Sequence, residues 1–225
     1  MTKMYAVYGA SGYGREVMPV LENQVAQGSD HDCQFVFIDD NPEADTVNGY
    51  AVYRYEDFLN LEAAEKNVSI AIANSRIREK LTTQCTSDGL NIQSVVADNV
   101  VQMHEVSIKN GHILSPFVTI TSNVVIGESF QANIYSYVAH DCKIGNYVTF
   151  APAVKCNGNI TIKDHAYIGT GAIIKQGTPD KPIVIGEGAI VGAGAFVNKD
   201  VPDGMTVFGS PAIELTRENL IRRNG

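Results

Sequence analysis

The sequence predicts an α/β N-terminal domain of βαβ order, similar to half of a Rossmann fold, followed by a left-handed parallel β-helix with a short C-terminal helix. Three observations predict this fold class. A strand–glycine turn–helix pattern opens the chain, apolar residues recur at every sixth position from Ile108, and a short polar and apolar segment follows Ala212. We assign residues 1–95 to the α/β domain, residues 96–212 to the β-helix, and residues 213–225 to the C-terminal helix and tail.

Short apolar runs separated by helical stretches define the N-terminal domain. We predict strands at residues 5–8, 34–38 and 68–72, helices at residues 15–27 and 75–89, and a lead into the β-helix at residues 92–96. This order produces a small parallel sheet. A length of about 95 residues leaves room for one mononucleotide-binding half, which favours a sugar nucleotide over a dinucleotide such as NAD.

A glycine-rich turn, Gly9–Gly14, connects the first predicted strand to the first predicted helix. Backbone N–H groups at such a helix start suit a phosphate or a pyrophosphate. An acid at the end of the next strand, Asp39 or Asp40, can accept hydrogen bonds from a ribose or a base. The alternative is a plain tight turn in which Asp39 caps a turn or a helix.

The β-helix is predicted from a six-residue period, which is neither helical nor a simple strand alternation. Each hexad makes one short strand and one corner, and three hexads make one triangular coil, so that about five coils result. The inward aliphatic positions are Ile108, Leu114, Ile120, Ile126, Ala132, Val138, Ile144, Phe150, Cys156, Ile162, Ile168, Ile174, Ile185, Val191 and Val197. Glycine often follows them, and we expect it to supply the backbone angles of the corner. These glycines are Gly127, Gly145, Gly169, Gly186 and Gly192.

The six-residue register slips by five residues at Lys175–Pro182. A glycine and two prolines predict a loop pushed out at a corner, which either covers a ligand or is a tolerated insertion. After the last hexads, the segment from Ile213 to Arg223 predicts a helix that covers the final coil, because an open solenoid end is an edge prone to aggregation.

Composition and charge argue against several classes of protein. The formal net charge of −8 disfavours bulk binding to nucleic acid or to an anionic membrane. No apolar run approaches the ~20 residues that span a bilayer. The apolar segment at the start of the sequence is too short, and too interrupted by glycine, for the core of a signal peptide. The four cysteines are scattered without a CxxC motif, which predicts reduced thiols in a cytoplasmic protein.

His140 is the candidate general base, because a titratable imidazole beside Asp141 lies just past a corner of a rigid coil. A structural or merely exposed histidine is the alternative. We expect His165 to face solvent and His112 to lie in the core or an interface. The inward residues Cys142 and Cys156 are predicted core fillers. No second histidine lies near His140, so a metal-dependent β-helix carbonic anhydrase is disfavoured and no metal is expected.

At this point the chain resembles a known family, the sugar acetyltransferases of the bacillosamine and sialic acid type (PglD/NeuD-like), within the hexapeptide-repeat acyltransferases. The resemblance covers nearly the whole chain. The segments that carry it are Tyr8–Gly14, Ile38–Asp40, Ala71–Arg78, Ala139–Gly145, Lys155–Ile160 and Gly209–Ala212.

The resemblance implies acetyl transfer from acetyl-CoA to the 4-amino group of a UDP-, dTDP- or GDP-linked 4-amino-4,6-dideoxy sugar. It also implies a homotrimer with acetyl-CoA between neighbouring β-helices, and no metal. By family pattern the catalytic positions are His140, Asp141 and Asn133. The positions matching acetyl-CoA contacts are Thr149, Gly158, Thr170 and Ala193. The positions matching the nucleotide-sugar site are Ser11, Gly12, Tyr13, Asp39, Asp40, Ala73 and Asn74.

Three residues depart from the family pattern. Tyr13 replaces a common histidine, Ala73 replaces a common glycine, and Thr149 replaces a histidine that contacts the acetyl carbonyl in some members. The departure at Thr149 leaves a backbone N–H near Gly158 to stabilise the oxyanion. The implied mechanism is direct attack of the amine on the thioester. Two rivals stay open: O-acetylation of sialic acid or another sugar hydroxyl, and a non-catalytic nucleotide-binding trimer.

Overall fold

The computed structural model describes residues 2–28 and 32–219 and has an α/β domain followed by a β-helix. The elements of the α/β domain are β1 (Lys3–Tyr8), α1 (Gly12–Ala26), β2 (Cys33–Ile38), β3 (Thr46–Val47), β4 (Tyr50–Tyr53), α2 (Tyr55–Asn60), β5 (Glu65–Ile70), α3 (Ser75–Ser87) and β6 (Asn91–Ile92). The strand order is β3-β4-β2-β1-β5-β6, and only the β3–β4 pair is antiparallel. The predicted βαβ order is confirmed.

Several boundaries in this domain differ from the sequence prediction, and two of them have a clear structural reason. Helix α1 begins at Gly12 rather than at residue 15, because Ser11 is already its N-cap. A Cβ at Gly14 would overlap the Gly9 carbonyl oxygen, so glycine lets the helix approach the strand closely. Strand β5 ends at Ile70 rather than at residue 72, since its pairing with β1 ends opposite Tyr8. The β3–β4 hairpin, α2 and β6 were not predicted.

The C-terminal part is a left-handed parallel β-helix of three sheets. The first sheet contains β7 (Val95–Val96), β10 (Ile113–Leu114), β13 (Gln131–Ala132), β16 (Thr149–Phe150), β19 (Tyr167–Ile168), β22 (Ile190–Val191), β24 (Thr206–Phe208) and β25 (Ile213–Glu214). The second contains β8 (Val101–Gln102), β11 (Thr119–Ile120), β14 (Tyr137–Val138), β17 (Lys155–Cys156), β20 (Ile173–Ile174) and β23 (Phe196–Val197). The third contains β9 (Val106–Ile108), β12 (Val124–Ile126), β15 (Lys143–Ile144), β18 (Ile160–Ile162) and β21 (Ile183–Ile185).

The predicted inward positions form the core of the β-helix. From Leu114 to Val197 they are all buried, and they belong to one continuous apolar cluster. The register resumes after the insertion as predicted, because Ile162 pairs with Ile185. The thiols of Cys142 and Cys156 are fully buried in this cluster, which confirms that they are core fillers.

The corner glycines have a different role from the predicted one. The left-handed backbone conformation lies three residues before each inward residue except Ile185, and residues other than glycine mostly occupy it: Glu105, Phe117, Asn123, Ser129, Tyr135, Asp141, Tyr147, Ala153, Asn159 and His165. None of the five glycines that follow the inward residues has a positive φ. A Cβ at Gly145 would instead lie 2.6 Å from the Asp164 backbone nitrogen of the next coil. Glycine is needed there for close stacking of coils.

The chain passes from the first sheet to the second at one edge of the prism, the 1–2 corner, and from the second sheet to the third at the next edge, the 2–3 corner. The inserted loop Lys175–Pro182 leaves a corner, as predicted, and the structure shows that this is the 2–3 corner, between β20 and β21. Its Gly177 N–H donates to the Gly158 carbonyl oxygen at 3.0 Å. The loop therefore follows the same edge of the prism as Gly158.

The end of the β-helix is covered by a strand before any helix begins. The predicted helix from Ile213 is wrong at its start, since Ile213–Glu214 pairs antiparallel with β24. The turn before it is fixed by the Ala212 N–H, which donates to Phe196 O at 2.7 Å and brings the chain back along the sheet edge. Residues 217–219 are helical, and the remainder of the predicted helix and tail lies outside the described residues.

Candidate active site

His140 lies at the 2–3 corner with its side chain 47% exposed, and its Nδ1 is 2.7 Å from Asp141 Oδ2. Because a carboxylate only accepts hydrogen bonds, Nδ1 of the neutral ring carries the proton and Nε2 keeps a free lone pair. Asn123, one coil earlier, donates from Nδ2 to Asp141 Oδ1 at 3.2 Å. The hydrogen bonds from His140 and then Asn123 lower the pKa of Asp141 below its ordinary value. The arrangement suits a general base.

The imidazole ring lies directly against Gly158 on the next coil. A Cβ at this position would lie 2.5 Å from both Nε2 and Cε1 of His140, so only glycine leaves room for the ring. Asn157, which precedes Gly158, is held on two sides. The Tyr137 hydroxyl donates to Asn157 Oδ1 at 2.8 Å, and Asn157 Nδ2 donates to Ile174 O at 2.7 Å. The free nitrogen of the candidate base and the backbone of Gly158 are thus brought together.

Three other predicted site residues lie on the 1–2 corner instead. Asn133 follows strand β13, and its Nδ2 donates to Phe150 O at 3.2 Å. Thr170 and Ala193 are exposed and follow β19 and β22 of the same sheet. Within one chain the structure therefore divides the predicted catalytic and acetyl-CoA residues between two edges of the prism, apart from Thr149, which lies in strand β16.

A cleft of about 420 Å³ borders the inserted loop farther along the 2–3 corner from His140. Its lining includes Lys175 and Lys181 of the loop, and Lys199 and Asp200 of the following coil. Three cations beside one acid make this part of an otherwise acidic chain locally positive.

A cleft of about 380 Å³ opens between the start of α1 and the segment after β2. Its lining includes three predicted nucleotide-sugar residues, Ser11, Gly12 and Asp39, together with Arg15. The Asp39 carboxylate accepts hydrogen bonds from the backbone N–H groups of Ala10 at 3.2 Å and Asn41 at 3.0 Å. Asp39 therefore caps the local turns, which is the alternative left open above, while it also lines the cleft.

Two further predicted residues of that group do not line this cleft. Asp40 accepts a hydrogen bond from the Tyr8 hydroxyl at 2.8 Å, and Tyr8 stacks on Tyr55 on the other face of the sheet. Tyr13 packs against the core of the domain, with a buried hydroxyl for which the described part of the chain holds no hydrogen-bond partner.

Ala73 and Asn74 line a separate cleft of about 330 Å³ between the α/β domain and the β-helix, and Thr149 lies in it with them. Asn74 is the N-cap of α3, since its Oδ1 accepts hydrogen bonds from the backbone N–H groups of Arg76 and Ile77 at 3.1 Å each. Thr149 is only 2% exposed, and its hydroxyl donates to Ala73 O at 3.2 Å. Thr149 thus joins the two domains.

His165 lines this cleft as well, and the prediction that it faces solvent is wrong. It is 8% exposed, it stacks on Tyr147 with ring centroids 5.4 Å apart, and its Nε2 is 3.6 Å from Glu79 of α3. Burial, and secondly the charge of Arg76, lower the pKa of His165. The prediction failed because the α/β domain covers an outward position of the repeat. His112 is half-buried, with Nδ1 2.8 Å from Lys109 O.

One buried cation was missed by the sequence analysis. Arg78 of α3 is fully buried, and its guanidinium donates hydrogen bonds to both domains. Burial lowers the pKa of Arg78 to about 10. The sequence contained no signal for this role beyond the position of Arg78 in the Ala71–Arg78 motif, because its acceptors are backbone carbonyls and two side-chain oxygens that only the fold assembles.

Residues 2–28 and 32–219 contain no group of three or more His, Cys, Asp or Glu residues arranged to hold a metal ion. Over those residues, the helices are too short or too polar to cross a membrane.

Comparisons with known proteins support the resemblance. The family model described as the PglD N-terminal domain matches residues 5–85. GDP-perosamine N-acetyltransferase of Escherichia coli O157:H7 is 48% identical over 185 residues, which cover 82% of this chain and 84% of the relative. The structure of WeeI from Acinetobacter baumannii AYE is 57% identical, with a TM-score of 0.91, and the match covers 95% of this chain and 100% of that one.

A second solved structure is the acetyltransferase domain of PglB from Neisseria gonorrhoeae FA1090 in complex with acetyl coenzyme A. It is 28% identical, with a TM-score of 0.83, and the match covers 96% of this chain and 100% of that domain. The period of six, the βαβ domain and these relatives agree with one another. The chain therefore belongs to the PglD-like acetyltransferases of the hexapeptide-repeat superfamily, and it is an enzyme of the acyltransferase class.

Proposed function

We propose that this enzyme transfers the acetyl group of acetyl-CoA to the 4-amino group of a nucleotide-linked 4-amino-4,6-dideoxy sugar. The observation that carries the proposal is the His140–Asp141 pair, with Nε2 of the ring free beside Gly158. The names of the relatives support it, since one acts on GDP-perosamine and another binds acetyl coenzyme A. Because the four cysteines are scattered along the sequence without a CxxC motif, which predicts reduced thiols, we assign the reaction to the cytoplasm.

The mechanism is direct transfer in one cleft. The amine nitrogen attacks the thioester carbonyl carbon and forms the C–N bond, while Nε2 of His140 accepts the proton that leaves the nitrogen. Asp141 stabilises the imidazolium through Nδ1, and the Gly158 N–H donates to the oxyanion. When the tetrahedral intermediate collapses, the C–S bond breaks and His140 returns the proton to the departing thiolate. Amide and free CoA are the products.

We propose that the working unit is a homotrimer whose sites lie between subunits. A monomer divides the candidate residues between two corners, so a neighbouring copy must supply one of them. Exposed aromatic side chains beside Asn133 support an interface at the 1–2 corner, since Phe117 and Tyr135 are 53% and 60% exposed and stack on each other at 4.9 Å. In this arrangement the 1–2 corner of one copy meets the 2–3 corner of the next.

Mixed trimers test this arrangement. Asn133→Ala and His140→Ala are each expected to lose most turnover, but co-expression of the two chains restores activity. A mixed trimer contains one interface in three with both corners intact, so mixed trimers selected by two tags are expected to show about a third of wild-type turnover. Activity is measured as thiol release after purification with two different affinity tags. A preparation of mixed trimers that stays as inactive as the single variants contradicts a site shared between subunits.

The acceptor is tested with a panel of UDP-, dTDP- and GDP-linked 4-amino sugars, and thiol release from acetyl-CoA is measured. Turnover with an amino sugar, and its loss when the amine is replaced by a hydroxyl, supports N-acetylation. Turnover only with a hydroxyl acceptor such as sialic acid supports O-acetylation and overturns the proposal. Binding of nucleotide sugar without binding of acetyl-CoA supports a non-catalytic trimer.

A further inference from the structure

Arg78 is a fully buried cation at the junction of the two domains, and the mechanism above does not use it. On the side of the α/β domain, its Nη1 donates to Ile72 O at 2.6 Å and to Ala73 O at 3.1 Å. These two carbonyls belong to the segment between β5 and α3, which also contains Asn74. The guanidinium therefore holds the loop that carries two of the predicted nucleotide-sugar residues.

On the side of the β-helix, the same guanidinium contacts two successive coils. Its Nε donates to Ser129 O at 3.0 Å, its Nη1 to Gln131 Oε1 at 3.2 Å, and its Nη2 to Tyr147 O at 2.6 Å and Thr149 Oγ1 at 3.0 Å. Gln131 in turn donates to Ile70 O at 2.9 Å, at the end of β5. These bonds join the sheet edge that precedes the nucleotide-sugar loop to the coils that precede and follow His140.

The chemistry of these hydrogen bonds indicates that Arg78 fixes the relative position of the two domains and does not merely stabilise their contact. The guanidinium hydrogen bonds described above all go to neutral oxygens, and burial of a cation among neutral groups is costly. An apolar side chain would bury the same surface at lower cost, but it would allow the domains to slide. The planar fork of an arginine fixes both distance and angle because each N–H has its own direction.

We propose that Arg78 is a positioning residue that fixes the Ile72–Asn74 loop against the β-helix and so sets where the sugar amine lies relative to the acetyl-transfer site. This inference rests on the proposed function, because it needs a nucleotide sugar at that loop. It assigns no proton transfer to Arg78. It also gives Thr149 a role in the junction, since its hydroxyl accepts from Arg78 and donates to Ala73 O.

The test compares Arg78→Lys with Lys80→Gln, a control at an exposed position of the same helix. Lysine keeps the charge but cannot reproduce the fork, so the loop loses its fixed position. We expect the Kd for the nucleotide sugar to rise about tenfold or more, while the Kd for acetyl-CoA changes less than about twofold. Both constants are measured by calorimetric titration, and melting temperature and oligomeric state are recorded for each protein.

Gln131→Leu is the second variant, because Arg78→Lys can fail to fold. It removes the side-chain amide that accepts from Arg78 and donates to Ile70 O, it leaves the volume nearly unchanged, and we expect the same pattern with a smaller rise in Kd. Unchanged nucleotide-sugar affinity in a folded variant overturns the proposal, and so does an equal loss of affinity for both ligands. If the wild type binds both ligands without turnover, the proposed function fails while this comparison still decides the role of Arg78.

Discussion

His140→Ala is expected to lower kcat for acetyl transfer about 10²- to 10⁴-fold, the usual contribution of a positioned general base. The fold is expected to remain intact, because the ring is half-exposed and its one described hydrogen bond goes to Asp141. The measurement is the initial rate of thiol release from acetyl-CoA at saturating acceptor. A variant that keeps more than about a tenth of wild-type turnover contradicts the assignment of His140 as the base.

His104→Ala is the matched control for this experiment. His104 occupies the same register position at the 2–3 corner two coils earlier, it is exposed, and an acidic residue, Glu105, follows it as Asp141 follows His140. The residue one coil above His104 is Ser122, whereas the residue above His140 is Gly158. We expect His104→Ala to retain wild-type turnover, because only the site above His140 leaves space for the ring and its ligand.

Gly158→Ala tests whether the position of the His140 ring matters, because this variant keeps the imidazole but displaces it. A methyl group there would lie 2.5 Å from Nε2 of His140, so the ring must rotate away from its place beside the Gly158 backbone. We expect kcat to fall about tenfold or more at unchanged oligomeric state, since a misplaced base loses its alignment. Full activity of this variant would show that the ring does not act from the observed position.

The period of six made the interior of the β-helix predictable. An inward position such as Leu114 or Ile168 faces only other inward positions of the same repeat, so its environment is fixed by local spacing. The same reasoning failed for outward positions such as His165, because their environment depends on the docking of a different domain. Arg78 is the extreme case, since its partners in the β-helix are 51 to 71 residues away in sequence.

The residue types of the candidate site could be predicted from the sequence, but the positions of these residues relative to one another could not. The sequence brings His140 and Asp141 together because they are adjacent, and the structure adds the hydrogen bond that fixes the tautomer. The proximity of Gly158 to His140 follows from the coil length, because Gly158 lies one coil after His140. The spacing of seven residues between Asn133 and His140 suggests proximity, yet one strand of the second sheet separates them and they occupy different corners. In the homotrimer that we propose, a neighbouring chain supplies the second corner.

Gly145→Ala is expected to destabilise the protein by about 3 kcal/mol, a large overpacking effect. The added methyl group would lie 2.6 Å from the Asp164 backbone nitrogen and 2.8 Å from the Lys163 carbonyl carbon. Backbone atoms cannot move away as a side chain can, so two coils must separate and weaken the ladder between β15 and β18. For a chain of this size we expect a fall in melting temperature of about 6–12 °C, measured by calorimetry.

Ala153→Gly is the reverse substitution, at a corner position with a positive φ. We do not expect it to destabilise the protein as Gly145→Ala does. Ala153 has φ +60°, a conformation that costs an L-residue about 1–2 kcal/mol and costs glycine almost nothing. The greater entropy of glycine in the unfolded chain offsets about 0.5–1 kcal/mol of that gain. The melting temperature should therefore stay level or rise by a few degrees. If Ala153→Gly destabilises the protein and Gly145→Ala does not, then glycine serves corner geometry rather than coil stacking, and our explanation of the corner glycines is wrong.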